Sequence, residues 1–319
     1  MAELAVNFVN RHKSKLSVYA PLLGLVFVAL FFGAATEGKI FELNNLVMML
    51  NSGFPVLIIA IGAVFIYSHG GMDFSMGSVM ALGAFYAGTA INATNNLWLG
   101  AIIGLVIALV FSLTNIFVTI KFGLPSFITS LCISFIARGL VTLNTISPPT
   151  MTVEMDMGFV DQPLVKLIFV LIILTIASLL FRYTRIGIYN KAIGGNIKTA
   201  RLSGIDINKY RIYAYLVSAV GVGSMAFFAL ARGGGVSRQT GLGLELDVMI
   251  ALVMGGVPLT GGTKVRMSNV VIGSVIMVIL TSGLARLKME PELIPMIKGI
   301  VFLIVVFIGF KRSKGILPR

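Results

Sequence analysis

"LWLGAIIGLVIALVFSLTNIFVTI", Leu97 to Ile120, contains no Lys, Arg, Asp or Glu. As a helix it would rise about 36 Å, more than the ~30 Å hydrocarbon core of a bilayer. Comparable apolar runs lie at 16–35, 124–146, 164–182, 213–231, 268–285 and 293–310. The stretches 47–68, 76–94 and 245–260 are shorter, or are interrupted by Pro55, Pro258 and paired glycines. The expected fold is an all-α polytopic membrane protein of about ten transmembrane segments, some short or broken.

Composition points the same way. Hydrophobic residues make up 57% of the chain, charged residues 12%, and mean hydropathy is +0.98. Soluble domains average about 25% charged residues, so this chain lacks the charge to cover a water-facing surface, and its solvent is the lipid bilayer. The single cysteine, Cys132, excludes a disulfide framework and a cysteine zinc site. The net charge of +13 is confined to the ends and short loops, which argues against nucleic acid as a partner.

Lys and Arg orient the bundle. With the N-terminus in the cytoplasm, seventeen fall inside and five outside. Residues 1–15 and 311–319 are then a cytoplasmic N-terminus and tail, and 183–212 is the largest inner loop. Because Arg11, Lys13 and Lys15 precede a long apolar core, the first segment reads as an uncleaved anchor. The outer loop "SPPTMTVEMDMGFVDQP", 147–163, has three acids and no Lys or Arg.

Inside 183–212, Asn196 is suited to cap the short helix "IKTARLS". Gly204 can take the left-handed C′ position, with Ile205 as the apolar residue after it. A helix this short does not stand alone in water. It must pack on its own spans or on a cytoplasmic partner.

Four stretches, in order, carry a family resemblance: "GGMDFSMGSVMALGAF", "FGLPSFITSLCISFIARGL", "KAIGGNIKTARLSGIDINKYRI" and "GLGLELDVMIALVMGGVPLTGG". They resemble the transmembrane permeases of ABC importers of the ribose and simple-sugar type, over about residues 45 to 305. The resemblance implies that 1–319 is one permease domain in a bacterial cytoplasmic (inner) membrane, crossing it many times. It also implies a second permease chain, identical or related, an extracytoplasmic substrate-binding protein, and a cytoplasmic ATP-binding subunit. The third stretch looks like the loop that docks that ATPase, making Asn196, Lys198, Thr199, Arg201, Leu202, Gly204 and Ile205 the candidate coupling residues. The implied cargo is a pentose or other simple sugar, with nucleosides, an autoinducer sugar and branched-chain amino acids as alternatives.

An ATP site of the chain's own is not legible. "GGVPLTGGTK", Gly255 to Lys264, imitates a phosphate loop, but Gly262 stands where the lysine is needed. ATP and magnesium therefore belong to the partner ATPase, and this chain is expected to carry no cofactor, metal or catalytic residue. An intramembrane aspartyl protease needs two carboxylates sharing a proton, whereas Asp73 and Asp247 read as facing opposite sides. An ion-coupled secondary transporter is a further rival, with Asp73 as its one candidate intramembrane acid.

A sugar offers hydroxyls rather than charge, so the candidate translocation path draws on polar and aromatic residues within spans: Asn51, Ser52, Asn115, Ser126 and Phe127. Arg138, in an apolar run, is either a buried structural cation or a path residue. Asp73 precedes the helical run "FSMGSVMALGAF" and reads either as its cap or as a path residue. At the outer face, Arg232, Arg238, Glu245 and Asp247 are candidates for docking the binding protein; the two acids also suit the first turn of a helix. Lys166 and Lys298, near span ends, are expected to anchor at the interface.

Overall fold

The computed structural model describes residues 20–309. The expected termini 1–15 and 311–319, and residues 16–19 of the first apolar run, lie outside the described residues. The protein is all-α and polytopic. Its helices are α1 (Ala20–Ala35), α2 (Leu43–Ser68), α3 (Met76–Thr94), α4 (Leu97–Phe122), α5 (Ser126–Asn144), α6 (Pro163–Tyr183), α7 (Arg185–Gly195), α8 (Ile197–Leu202), α9 (Ile207–Gly233), α10 (Leu244–Met254), α11 (Met267–Arg286) and α12 (Leu293–Gly309). Among the described residues, α2, α4, α5, α6, α9 and α11 are long and apolar enough to cross a membrane. One end of the bundle carries a two-stranded ribbon, β1 (Thr150–Thr152) antiparallel to β2 (Gly235–Ser237), with Met151 opposite Val236. The other end carries α7 and α8.

α2 and α9 form the core, flanked by α3 and α4 on one side and by α6, α10 and α11 on the other. Lipid supplies no hydrophobic drive between helices, so close packing of small residues must hold them together. A Cβ at Gly62 would come 2.9 Å from the Cα of Ser218, and one at Gly223 would come 2.7 Å from the Cα of Leu105. These contacts draw α9 against α2 and α4.

Two segments expected to be short or interrupted are continuous helices. α3 is unbroken over 76–94, and α2 runs 26 residues through Pro55. Proline removes the N–H that would have bonded the Asn51 carbonyl one turn back. Arg232 from α9 supplies the missing donor: its Nη1 lies 2.7 Å from that carbonyl oxygen. A backbone group freed at membrane depth must find such a partner, and this one keeps the proline from breaking α2.

The third such segment, 245–260, is only partly helical. α10 stops at Met254, where Gly256 (φ +87°) lets the Val257 N–H return to the Leu252 carbonyl at 3.0 Å. The side chain of Asn269 closes the Gly255 carbonyl at 2.7 Å. At its start, α10 lies against the first turn of α3: a Cβ on Gly77 would collide with the Gly241 carbonyl and the Glu245 carboxylate. Gly77 is about 25 Å from the ribbon end of α3. Residues 234–243 thus run inward as non-helical chain along α3, and α10 is a half-length helix of about 16 Å.

Lys166 and Lys298 are not interfacial anchors. Lys166 is 1% exposed, with its Nζ 2.6 Å from Asp161 Oδ1 and 2.7 Å from Asn51 Oδ1. Lys298 of α12 reaches both Asp247 oxygens, at 3.0 and 3.1 Å, and so ties α12 to α10. Removing one partner of a buried pair strands the other at a cost of about 3 kcal/mol or more. Asp161→Ala should therefore lower the melting temperature of the detergent-purified chain more than Lys166→Met, which removes the buried charge itself. Equal shifts would count against the pair.

Candidate functional site

The α7–α8 end is built around one capped turn. Asn196 Oδ1 accepts the N–H groups of Lys198 and Thr199 at 3.0 and 3.1 Å. At the other end of α8, Gly204 (φ +77°) lets the Ile205 N–H close on the Ala200 carbonyl at 3.1 Å. Both caps agree with the sequence reading. Ala200 is buried with Ile193 and Ile207, and Ile205 and Tyr210 pack against them. The six-residue helix α8 therefore leans on α7 and α9, and Leu202 is left 89% exposed between exposed Arg201 and Ser203. On α7, burial pushes the Lys191 ammonium below its usual range.

Three glycine-rich strips meet above this element. α2 ends as α10 does: Gly70 (φ +82°) lets the Gly71 N–H return to the Ile66 carbonyl at 3.2 Å. The Gly262 N–H then donates to the Ser68 carbonyl at 2.9 Å. A Cβ on Gly261 would fall 2.5 Å from that carbonyl oxygen and 2.6 Å from the Gly70 nitrogen. One on Gly194, at the end of α7, would meet the Ser68 carbonyl and come 2.6 Å from the Gly262 nitrogen. The end of α7, the end of α2 and the α10–α11 loop are thus in backbone contact.

Asp73 lies in the α2–α3 joint and is 2% exposed. Its Oδ1 accepts the Ser75 N–H at 2.8 Å and the Ser75 hydroxyl at 2.6 Å. The residue capping α3 is Ser75 itself, so Asp73 braces the turn leading into the helix and does not bond the free amides of its first turn. Asparagine keeps an acceptor oxygen at this position, so Asp73→Asn should melt close to the parent. Asp73→Ala leaves a buried N–H without a partner, at about 1–3 kcal/mol, and should lower the yield of folded chain. Equal yields of the two variants would oppose this.

The candidate path residues divide between two levels. Met72 donates its N–H to Ser126 Oγ at 3.0 Å, which joins the α2–α3 loop to the start of α5 beside Phe127. Asn115 on α4 is fully buried, with neither side-chain atom partnered. Asn51 and Ser52 sit about 25 Å away along α2. There Asn51 is committed to Lys166 and Arg232, and Ser52 to the Met48 carbonyl of its own helix at 2.8 Å. Arg138 reaches from α5 to the carbonyls of Thr240 (2.7 Å) and Arg238 (3.2 Å) in the inward-running segment.

Of the docking candidates, Arg232 and Arg238 are exposed at the ribbon end, and Arg238 also donates to the Thr145 carbonyl at 3.1 Å. Glu245 and Asp247 stand in the first turn of α10. Asp247 is held by Lys298, and Glu245 Oε2 is buried without a partner. Sequence reasoning passed over His69, Thr119, Arg211 and Tyr215, all gathered near the α7–α8 end. Spacing held a signal: Asn115 with Thr119, and Arg211 with Tyr215, are each one turn apart on a single helix face. Among the described residues, no three His, Cys, Asp or Glu side chains gather as a metal site.

The profile of the family described as "Branched-chain amino acid transport system / permease component" matches residues 45–306. The ribose import permease protein RbsC of Escherichia coli is 27% identical over 303 residues, covering 91% of this chain and 92% of that protein. The fructose import permease protein FruF of Bifidobacterium longum is 28% identical over 292 residues, covering 88% of this chain and 80% of that protein. The xylose transport system permease protein XylH of Haemophilus influenzae is 27% identical, covering 94% and 97%. No solved structure matches. With the profile spanning α2 to α12, this chain belongs to the family of branched-chain amino acid transport system permease components.

Proposed function

We propose that this chain is the membrane-spanning subunit of an ABC importer for a pentose or other simple sugar. One observation carries the reading: a capped turn with an exposed Leu202 at its tip follows α7, whose Gly194 is in close contact with the backbone of the α2 end and of the α10–α11 loop. That is what a chain without its own ATP site needs in order to receive work from a separate ATPase. The printed names of its relatives, for ribose, fructose and xylose, support the cargo class. ATP and magnesium then reside on the partner, which docks at α8.

In this reading ten helices, α1–α6 and α9–α12, pass into the membrane, with α10 as a half-span. The excess of Lys and Arg puts the α7–α8 end and both termini in the cytoplasm of a bacterial inner-membrane protein. The binding protein docks at the ribbon end, near Arg232 and Arg238; Glu245, against Gly77 about 25 Å from that end, and Asp247, held by Lys298, lie too deep to meet it. α5 packs chiefly on α3 and α4 and leaves Phe127, Leu131, Phe135 and Ile136 exposed; this apolar face suits a second permease chain, identical or related. Cargo passes between the two.

The test is reconstitution with the partner ATPase and binding protein, followed by ATPase stimulation with a panel of sugars, nucleosides and branched-chain amino acids. A pentose or hexose should stimulate turnover. Stimulation by an amino acid alone would overturn the cargo, and uptake by the isolated chain on an ion gradient would overturn the transporter class.

A further inference from the structure

α4 and α9 touch closely in their middle stretches and leave a groove between them toward the α7–α8 end. A Cβ on Gly223 would come 2.7 Å from the Cα of Leu105, and one on Gly104 would meet the Ala226 Cβ at 3.6 Å. Nearer the α7–α8 end the facing side chains are larger, and an open groove of about 640 Å³ remains. Leu113, Phe117 and Ile120 of α4 and Ile212 of α9 line its length, with Lys121 and Asn208 nearest the helix ends. From Leu113 to Lys121 it runs about 12 Å along α4, less than half of the ~30 Å hydrocarbon core. It belongs to one leaflet.

The end marked by Lys121 suits a negative charge. Lys121 is exposed, and its Nζ lies over the rings of Phe117 and Phe122, 5.5 and 5.8 Å from their centroids. Among the described residues no carboxylate pairs with it. Asn208 and the adjacent Lys209, in the first turn of α9, are also exposed. The acid nearest to them in sequence, Asp206, is already engaged as the cap of α9, accepting the Lys209 N–H at 3.1 Å.

We infer that this groove holds an acyl chain of one anionic phospholipid, whose phosphate meets Lys121 and Asn208. Depth decides against a partner helix. A membrane-spanning helix needs a groove that continues through both leaflets, and this one ends short of the level where Gly104 and Gly223 bring α4 and α9 together. The lining decides against a sugar: its wall is apolar, and the Thr114 hydroxyl is taken up by the Val110 carbonyl of its own helix at 2.8 Å. Charge decides between lipids. A zwitterionic headgroup would bring its own cation to Lys121 and Lys209, whereas phosphatidylglycerol or cardiolipin brings none. Basic pockets between helices at the cytoplasmic side are suited to such headgroups, and the excess of Lys and Arg that orients the bundle assigns the groove to that leaflet.

Electron paramagnetic resonance on the full chain in phosphatidylcholine vesicles tests this, with spin-labelled phosphatidylglycerol and spin-labelled phosphatidylcholine as the two probes. The immobilised fraction should favour phosphatidylglycerol. Lys121→Gln should cut that preference about fivefold, the effect of one cation at an anionic surface, and should melt like the parent. Thr114→Phe, which fills the groove from an exposed position, should abolish the preference. Either variant carries the test if the other is unstable. Equal immobilisation of the two probes by the parent would overturn the anionic site. An unchanged preference in folded Lys121→Gln would overturn the role of Lys121, and the same result in folded Thr114→Phe would place the lipid elsewhere. A preference that disappears when the partner subunits are added would give the groove to one of them and overturn the lipid as its occupant.

Discussion

Gly261→Ala should lower the melting temperature of the purified chain far more than Gly204→Ala. Both glycines have positive φ, +70° and +77°, so an added Cβ carries the same left-handed backbone cost of about 1–2 kcal/mol. Their surroundings differ. Nothing lies within 4 Å of a Cβ on Gly204, whereas one on Gly261 would fall 2.5 to 2.7 Å from Ser68, Gly70 and Tyr67 backbone atoms. Backbone cannot swing aside as a side chain can, so Gly261→Ala adds an overpacking cost of about 1–3 kcal/mol. Thermal melting in detergent reads the difference. ATP-driven uptake by whatever folded Gly261→Ala chain remains should also fall, because the strip it separates joins α2 to the end of α7. Equal melting of the two variants would mean that the three strips are not in contact.

The largest effect on activity is expected from Leu202→Glu. At 89% exposure Leu202 contributes little to folding, and surface changes of this kind usually stay within about 0.5 kcal/mol. An apolar side chain held out on a capped turn gains its worth only when a partner covers it. A central contact of that sort is worth about 2 kcal/mol, close to thirtyfold in affinity. The variant should melt like the parent, bind the ATPase subunit about thirtyfold more weakly, and lose most uptake. Unchanged ATPase affinity would sink the assignment of α8 as the docking element.

The sequence made the membrane helices legible because lipid imposes one demand, length without charge, and runs such as Leu97–Ile120 can meet it only as helices. It also made the caps of α8 legible, since Asn196 and Gly204 act on amides within a few residues. What stayed hidden depends on distant chain. Pro55 read as an interruption because its remedy, Arg232, lies far along the sequence. Lys166 read as an anchor because Asn51 reaches it only once α2 and α6 pack, burying the pair it makes with nearby Asp161. Asp73 read as a direct cap, yet its carboxylate serves the turn one step earlier. The path residues formed one list in sequence, but the fold separates Asn51 and Ser52 from Ser126 and Phe127 by most of the length of α2.

The bond between Arg232 and the carbonyl that Pro55 frees makes those two positions a single heritable unit. A descendant that replaces the proline with an ordinary residue restores an N–H to α2, and its arginine then has nothing to repair. A descendant that loses the arginine first is left with a bare carbonyl inside the membrane. The order of change is therefore biased, proline before arginine, and alignments of relatives should show arginine at 232 accompanying proline at 55 and free variation where the proline is absent.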